Sequence, residues 1–366
     1  MSHKNKNIII SGGGTGGHIF PAISIANALK AADPEINILF VGAEGRMEME
    51  KVPAAGYDIV GLPVMGMPRK LSFKIVKFAF SLLRSLRKAA KVVKEYKPIV
   101  AVGVGGYASG PVLKAASKKG IATVLQEQNS YAGVTNKLLA QKASSICVAY
   151  EGMEKYFPAD KIVLTGNPVR ESVISFEGNR EEAFAHFYLN KDQKVILVLG
   201  GSLGAKSINE ALLKNIDAIA NSGVQWIWQC GKLYFEHLQK EIGDKYPNIR
   251  LMDFIQRMDY VFEISDLVIS RSGAGTISEL CLAGKPTIFV PSPNVAEDHQ
   301  TKNAQALVAK DAALMIKDTE IDERLCVESL GLVKDAEKLK ELSANILNMA
   351  FHNSDKKIVD EILKLL

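Results

Sequence analysis

Ser272-Gly273-Ala274-Gly275-Thr276 lies between an apolar strand pattern, Asp266 to Ser270, and a helical pattern from Ile277 to Ala283. A small-residue turn opening a helix leaves backbone N–H groups without partners. The helix dipole adds partial positive charge there, so the turn suits a phosphate. Glu279, one turn inside the helix, is placed to accept both hydroxyls of a ribose. A second strand pattern, Pro286-Thr-Ile-Phe-Val290, ends in a loop carrying Glu297, Asp298, His299 and Gln300. Two adjacent strand ends with polar loops form the crevice where open α/β sheets bind ligands. On SGAGT alone, an ordinary strand–helix unit with a satisfied cap fits equally well.

A second reactive constellation lies near the N-terminus. The strand pattern Asn7-Ile-Ile-Ile10 runs into Ser11-Gly12-Gly13-Gly14-Thr15-Gly16-Gly17-His18. Gly12, Gly14 and Gly17 satisfy GxGxxG. Glu44, after the strand Ile38 to Val41, imitates a ribose-binding acid, so a nicotinamide-dependent dehydrogenase is a rival. The loop implies close backbone approach to a ligand such as a diphosphate. A helix is expected to start near Phe20-Pro21, with the proline in its first turn. His18 at its entry either caps its own loop or faces a cleft as a general base, since imidazole titrates near neutrality.

Such turns need sheets to hold them. At 366 residues the chain exceeds one ordinary core, so two domains are expected. Hydrophobic content of 47% with 23% charged residues fits a soluble globular protein. No run of about 18 apolar residues occurs, and no membrane span is expected. The N-terminus enters a strand without signal-peptide architecture. Cys147, Cys230, Cys281 and Cys326 are widely separated and read as reduced core residues of a cytoplasmic protein. A net charge of +5 favours anionic surfaces or substrates. No motif calls for nucleic acid.

Ile99 to Val104 predicts a buried strand running into Gly105-Gly106-Tyr107-Ala108-Ser109-Gly110-Pro111, and Ala122 to Leu125 a strand running into QEQNSYAG. Asn129 in the latter could cap a helix or hold a sugar hydroxyl. Strand, glycine turn and helix, repeated within one half, argue for a parallel doubly wound sheet. Ser144 to Ala149 and Ile162 to Leu164 close that half. Thr165-Gly-Asn-Pro-Val-Arg170 reads as a hinge, with Arg170 offering a cation. A polar helical segment, Gly178 to Asn190, precedes the strand Lys194 to Leu199, whose turn Gly200-Gly-Ser202-Leu-Gly-Ala205 is the third glycine loop. Trp226 to Cys230 and Ile249 to Met252 continue the second sheet. Phe254-Ile255 follows in a loop where a flat base could pack and bond backbone groups.

Met67 to Lys97 is a long basic helical region. At about 100° per residue, Leu71, Ile75, Phe78, Leu82 and Leu86 share the face expected to dock on the sheet. Lys70, Lys74, Lys77, Arg84, Lys88 and Lys91 form a second stripe. Phe73, Val76, Phe80 and Leu83 form a third, which is either covered by a loop or dips into an anionic bilayer.

The strings GGGTGGHIFPA, GVGGYASGP, QEQNSYAGVTN, TGNPVR, GGSLGA, DFI, RSGAGTISEL and EDHQTKNA occur in that order. Together they resemble the GT-B glycosyltransferases, in particular those that add N-acetylglucosamine to the lipid-linked peptidoglycan precursor. The resemblance spans nearly the whole chain. It implies an α/β protein of two doubly wound parallel-sheet Rossmann-like domains facing a deep cleft. Residues 1–166 would bind acceptor and membrane, 167–350 UDP-GlcNAc, and a helix in 351–366 would return to the first domain. Thr15, Gly16 and Gly17 would face the reaction centre, Asn129 would bind the GlcNAc ring, and Arg170 and Ser202 would hold phosphate. Ile255 would meet the uracil, Ala274, Gly275 and Thr276 the α-phosphate, Glu279 the ribose and Gln300 the sugar. Gly13, Gly14, Gly105, Gly106 and Tyr107 would form the acceptor-diphosphate loops.

The implied reaction is an inverting transfer from UDP-GlcNAc to the C4 hydroxyl of the muramoyl sugar of a polyprenyl-diphosphate-linked muramoyl peptide. His18 is the candidate base. The leaving diphosphate would sit against Gly275-Thr276 and near Arg170, so no metal or other cofactor is expected, and no Asp-x-Asp pair occupies a suitable strand end. Such an enzyme would work on the cytoplasmic face of the inner membrane, with Phe73, Val76, Phe80, Leu83, Lys74 and Lys77 against lipid. Leu203, Gly275 and His299 depart from residues some relatives carry, which would alter fine donor contacts but not the nucleotide class. A UDP-GlcNAc 2-epimerase, another GT-B glycolipid synthase and a non-catalytic nucleotide sensor are the alternatives.

Overall fold

The structure, a computed structural model, describes residues 6–66, 74–169, 180–201 and 203–366, without the side chains of 74–76, 244 and 296. The chain divides into two units, Met1–Val169 with His352–Leu366, and Arg170–Phe351. The first break lies a little beyond the expected 166.

The first unit alternates β1 (Asn7–Ser11), α1 (Gly16–Ala32), β2 (Asn37–Ala43), α2 (Glu48–Ala54), β3 (Asp58–Leu62), α3 (Lys74–Tyr96), β4 (Val100–Gly103), α4 (Ser109–Lys118), β5 (Ala122–Glu127), α5 (Val134–Leu139), β6 (Ser145–Val148) and β7 (Ile162–Leu164). Its seven strands pair in the order β3-β2-β1-β4-β5-β6-β7, all parallel. Both faces of β1 are covered, which is why its apolar run is continuous rather than alternating. Ile8 and Ile10 pack toward α1, and Ile9 toward the opposite layer, which includes Ala89 and Val112.

The second unit runs α6 (Arg180–His186), β8 (Val195–Leu199), α7 (Lys206–Lys214), α8 (Ile216–Ala220), β9 (Gln225–Gln229), α9 (Lys232–Glu241), β10 (Ile249–Met252), α10 (Met258–Ile264), β11 (Leu267–Ser270), α11 (Ala274–Leu282), β12 (Thr287–Phe289), α12 (His299–Val308), β13 (Leu314–Met315), α13 (Ile321–Leu332) and α14 (Ala336–Leu347). Six parallel strands follow the order β10-β9-β8-β11-β12-β13. On β9, Trp226 and Trp228 share one face and are buried. The Trp228 indole donates to Asn209 Oδ1 at 2.9 Å. The chain then returns to the first unit as α15 (Ser354–Leu363), whose Ile358, Val359 and Ile362 join the core beneath α1.

Strand order reverses between β1 and β4 in one sheet and between β8 and β11 in the other. At such a point the two following connections leave on opposite faces, which opens a ligand crevice at the strand ends. All four glycine or small-residue turns follow these four strands.

Three local expectations are corrected. The helix expected near Phe20-Pro21 begins at Gly16, so Pro21 is inside α1 rather than in its first turn, and lacks the N–H that would reach the Gly17 carbonyl. The strands β3 and β13 were not foreseen. The face expected to dock α3 is also displaced: Leu82 is 39% exposed, whereas Ser85, Ala89 and Val93 are buried. Small side chains there permit close approach, and the Ser85 hydroxyl satisfies itself on the Ser81 carbonyl at 2.8 Å. Lys70, Leu71 and Phe73 lie outside the described residues.

Candidate active site

In the first unit, the loops after β1 and β4 interlock backbone to backbone. A Cβ on Gly106 (φ +85°) would stand 2.3 Å from the Gly13 carbonyl oxygen. A Cβ on Gly13 would stand 2.1 Å from Oε1 of Glu48. Glu48, at the start of α2, is 0% exposed. Its carboxylate accepts from the Gly14 N–H, 3.1 Å to each oxygen, and from the Ala43 N–H at 2.9 Å. The anion position of this GxGxxG loop is therefore filled by the protein's own carboxylate. A dinucleotide pyrophosphate would compete with it for the Gly14 N–H and meet its charge, which removes the main support for a dehydrogenase. Glu44, the residue that imitated a ribose acid, pairs with Lys88 at 2.8 Å.

His18 is half-buried in the first turn of α1, after Thr15 at the cap and Gly16 and Gly17. Its Nδ1 lies 3.1 Å from the Gly13 carbonyl oxygen and 3.2 Å from Thr15 Oγ1. A carbonyl can only accept, so Nδ1 donates in that contact, and in the neutral ring the lone pair is then on Nε2. That edge of the ring lies over Gly105, where a Cβ would come within 2.8 Å of Nε2. Tyr107, 54% exposed, flanks the same loop.

At the end of β5, Glu127 organises the loop that carries Asn129. Its two oxygens accept from the Asn129 N–H and side-chain amide, both 3.2 Å, from the Gly133 N–H at 3.0 Å and from the Asn136 amide at 2.9 Å. Burial pushes the Glu127 carboxyl up, and these N–H donors pull it back. Neither Glu48 nor Glu127 was singled out from the sequence. Each is marked only by a tertiary approach, and Glu127 by its place at a strand end.

In the second unit, α11 starts at Ala274 with Gly273 as its cap, so the N–H groups of Ala274, Gly275 and Thr276 belong to its first turn. Glu279 is half-buried on the same helix. The Ser272 hydroxyl donates to the Gln300 carbonyl at 2.9 Å, and the Ser292 N–H to Gln300 Oε1 at 2.8 Å. Gln300 is thereby fixed beside the α11 turn, in the first turn of α12. Before it, Glu297 and Asp298 both hold left-handed backbone, at φ 55° and 53°. Non-glycine residues persist there only where surrounding bonds impose it, and Thr301 Oγ1 donates to Asp298 Oδ1 at 2.7 Å. The Ile255 side chain is buried, so any contact from it to a base runs through its backbone, while Phe254 beside it is 51% exposed.

Arg271, between β11 and the turn, was not anticipated. Its guanidinium donates to the carbonyls of Val290 and Pro291 at 3.0 and 3.1 Å, to Asp318 at 2.6 Å and to the Ser207 hydroxyl at 2.7 Å. It ties β11, β12 and α7 together instead of presenting a charge to ligand. Burial pushes the Cys147 and Cys281 thiols up to about 12 and Cys230 to about 11, so these remain neutral core residues. Arg170, Ser202 and Phe73, with the side chains of Lys74 and Val76, lie outside the described residues.

The chain matches the glycosyltransferase family 28 N-terminal domain over residues 8–148 and the C-terminal domain over 195–362. It is 58% identical over 364 residues, 99% of each chain, to the UDP-N-acetylglucosamine--N-acetylmuramyl-(pentapeptide) pyrophosphoryl-undecaprenol N-acetylglucosamine transferase of Parabacteroides distasonis. The crystal structure of Acinetobacter baumannii MurG is similar with a TM-score of 0.79 at 28% identity, over 98% of this chain and 99% of that one. A UDP-GlcNAc 2-epimerase from Neisseria meningitidis, bound to UDP-GlcNAc, shares the fold with a TM-score of 0.67 at 15% identity, over 98% and 99% of the two chains.

Proposed function

The chain belongs to glycosyltransferase family 28, and on that premise we propose that it moves N-acetylglucosamine from UDP-GlcNAc to N-acetylmuramyl-(pentapeptide) pyrophosphoryl-undecaprenol in peptidoglycan synthesis. The observation that carries this reading is identity of 58% running through 99% of both chains, against 15% for the epimerase of the same fold.

His18 Nε2 takes the proton of the acceptor C4 hydroxyl as that oxygen attacks the anomeric carbon. The bond from that carbon to the β-phosphate oxygen breaks, UDP leaves with the electron pair, and one displacement inverts the centre. The charge that develops on UDP falls to the N–H groups and dipole of α11 at Ala274, Gly275 and Thr276, with Arg170 and Ser202 as further phosphate partners. Glu279 takes the ribose, the Ile255 backbone the uracil, and Gln300 and Asn129 the sugar. Thr15, Gly16 and Gly17 frame the reacting centre. With the Gly14 N–H held by Glu48, acceptor-phosphate contacts fall to Gly105, Gly106 and Tyr107.

The acceptor brings a lipid tail, and each buried CH₂ is worth about 0.8 kcal/mol, so the enzyme meets it at the bilayer surface. Among the described residues no helix is long and apolar enough to cross a membrane. On α3, Phe80 is 67% and Leu83 52% exposed, with Lys77, Arg84 and Lys88 on the same helix. This face lies on the anionic cytoplasmic leaflet, and Phe73, Lys74 and Val76, of whose side chains nothing is described, are proposed as further lipid contacts.

Radiolabelled UDP-GlcNAc with and without the lipid-linked muramoyl-pentapeptide tests the reaction. Label enters lipid only with the acceptor present. Acceptor-independent conversion of the donor to its C2 epimer would overturn the reading in favour of an epimerase.

A further inference from the structure

We propose that Glu48 is a positioning residue for the transfer, acting on His18 through the peptide bond between Gly13 and Gly14. The Gly14 N–H that binds the Glu48 carboxylate and the Gly13 carbonyl that accepts from His18 Nδ1 belong to one peptide unit. That unit is trans, so its N–H and C=O point in opposite directions. The chain of contacts is carboxylate, N–H, C=O, Nδ1–H, leaving Nε2 to take the acceptor proton. The inference rests on His18 being the base.

An anion on the N–H side polarises the peptide and strengthens its carbonyl as an acceptor, because hydrogen bonds in series reinforce one another at low dielectric. The stronger acceptor fixes the Nδ1–H tautomer and favours the imidazolium formed when Nε2 takes the proton. This is the task a carboxylate performs directly in carboxylate–histidine pairs. Glu48 can do it because no water reaches it: it is 0% exposed, and Gly13 and Gly42 leave room for its side chain, a Cβ on the latter lying 2.6 Å from Glu48 Cγ. Among the described residues, the other titratable groups on elements packed around this loop are Glu44, Arg46, Glu50, Lys51, Lys88 and Tyr107. Four of them are paired, Glu44 with Lys88 and Lys51 with Glu50, and so offset one another.

The test compares Glu48→Gln, His18→Ala and the double variant by the pH dependence of kcat. Glutamine keeps the volume and one oxygen for the Gly14 and Ala43 N–H groups, and loses the charge and the second acceptor oxygen. Expected for Glu48→Gln are a kcat lower by about 10- to 100-fold, as when the partner of a working histidine is removed, an unchanged KM for UDP-GlcNAc, and an acid limb moved to lower pH. In the double variant the Glu48 substitution has no further effect. His18→Ala at the wild-type rate would remove the base itself. A slow His18→Ala beside a Glu48→Gln whose acid limb stays in place, or whose loss adds in full to that of His18→Ala, would leave the base standing and overturn the relay. Nitrogen-15 NMR of His18 in the unaltered enzyme decides the case if Glu48→Gln does not fold. The relay requires the hydrogen on Nδ1 above the acid limb, and a hydrogen on Nε2 overturns it.

Discussion

Replacing Arg271 by alanine tests whether the cation beside the α11 turn serves the scaffold or the phosphate proposed to bind there. Its guanidinium makes four bonds inside the second unit, and the side chains of Arg271 and Asp318 are 16% and 20% exposed. Removing one partner of a buried ion pair costs about 3–5 kcal/mol, and partial exposure places this pair near about 3 kcal/mol. With a urea slope of about 2 kcal/mol per molar, the midpoint falls by about 1.5 M. Both tryptophans of the chain, Trp226 and Trp228, lie in the core of this unit, so their fluorescence follows its unfolding without signal from the other. Arg271→Lys can keep one bond to Asp318 but cannot span Ser207 and the Val290 and Pro291 carbonyls, so it recovers less than half of the loss. An Arg271→Ala midpoint within about 0.3 M of the wild type, together with lost UDP-GlcNAc binding, would refute the scaffold argument and make the guanidinium a phosphate ligand.

Two further outcomes are expected. Burial holds the Lys285 ammonium, which donates to the Ser265 carbonyl at 3.1 Å, below its ordinary pKa of 10.5. The unfolded chain then binds more protons in the window below 10.5, so this residue makes stability rise with pH there. Lys285→Met removes that rise. Its urea midpoint relative to wild type therefore declines from neutral pH to 10.5, and a constant difference would sink the idea. Phe80→Asp with Leu83→Asp on α3 should abolish flotation with anionic vesicles at low salt, where each nearby cation contributes about 1 kcal/mol, yet leave stabilisation by UDP-GlcNAc intact. Continued flotation would place the membrane face elsewhere.

The parallel sheets were legible because their central strands are buried on both faces and read as unbroken apolar runs, such as Ile8 to Ile10 and Val195 to Leu199. The turns after β1, β4, β8 and β11 announced themselves through glycine and small residues. β13 was missed because Leu314–Met315 is too short for any periodicity. α3 was misread because its docking face is built from Ser85 and Ala89, whose value is small size, and a wheel weighted by hydrophobicity favours Leu82 instead. Glu48 and Arg271 belong to a different class. Both are charged residues in polar stretches, and only the approach of distant strand ends makes one a buried anion beneath a glycine loop and the other a clamp. Local pattern carries no trace of such partners.

The return of α15 to the first unit sets an order of events during synthesis. Ile358, Val359 and Ile362 complete the core under α1, yet the ribosome makes them only after all of Arg170–Phe351. At about 5–20 residues per second this delay is on the order of tens of seconds. The second unit can close as soon as it emerges. The first, though its strands are made earliest, must hold the apolar underside of α1 uncovered until α15 leaves the exit tunnel, so the half bearing His18 matures after the other.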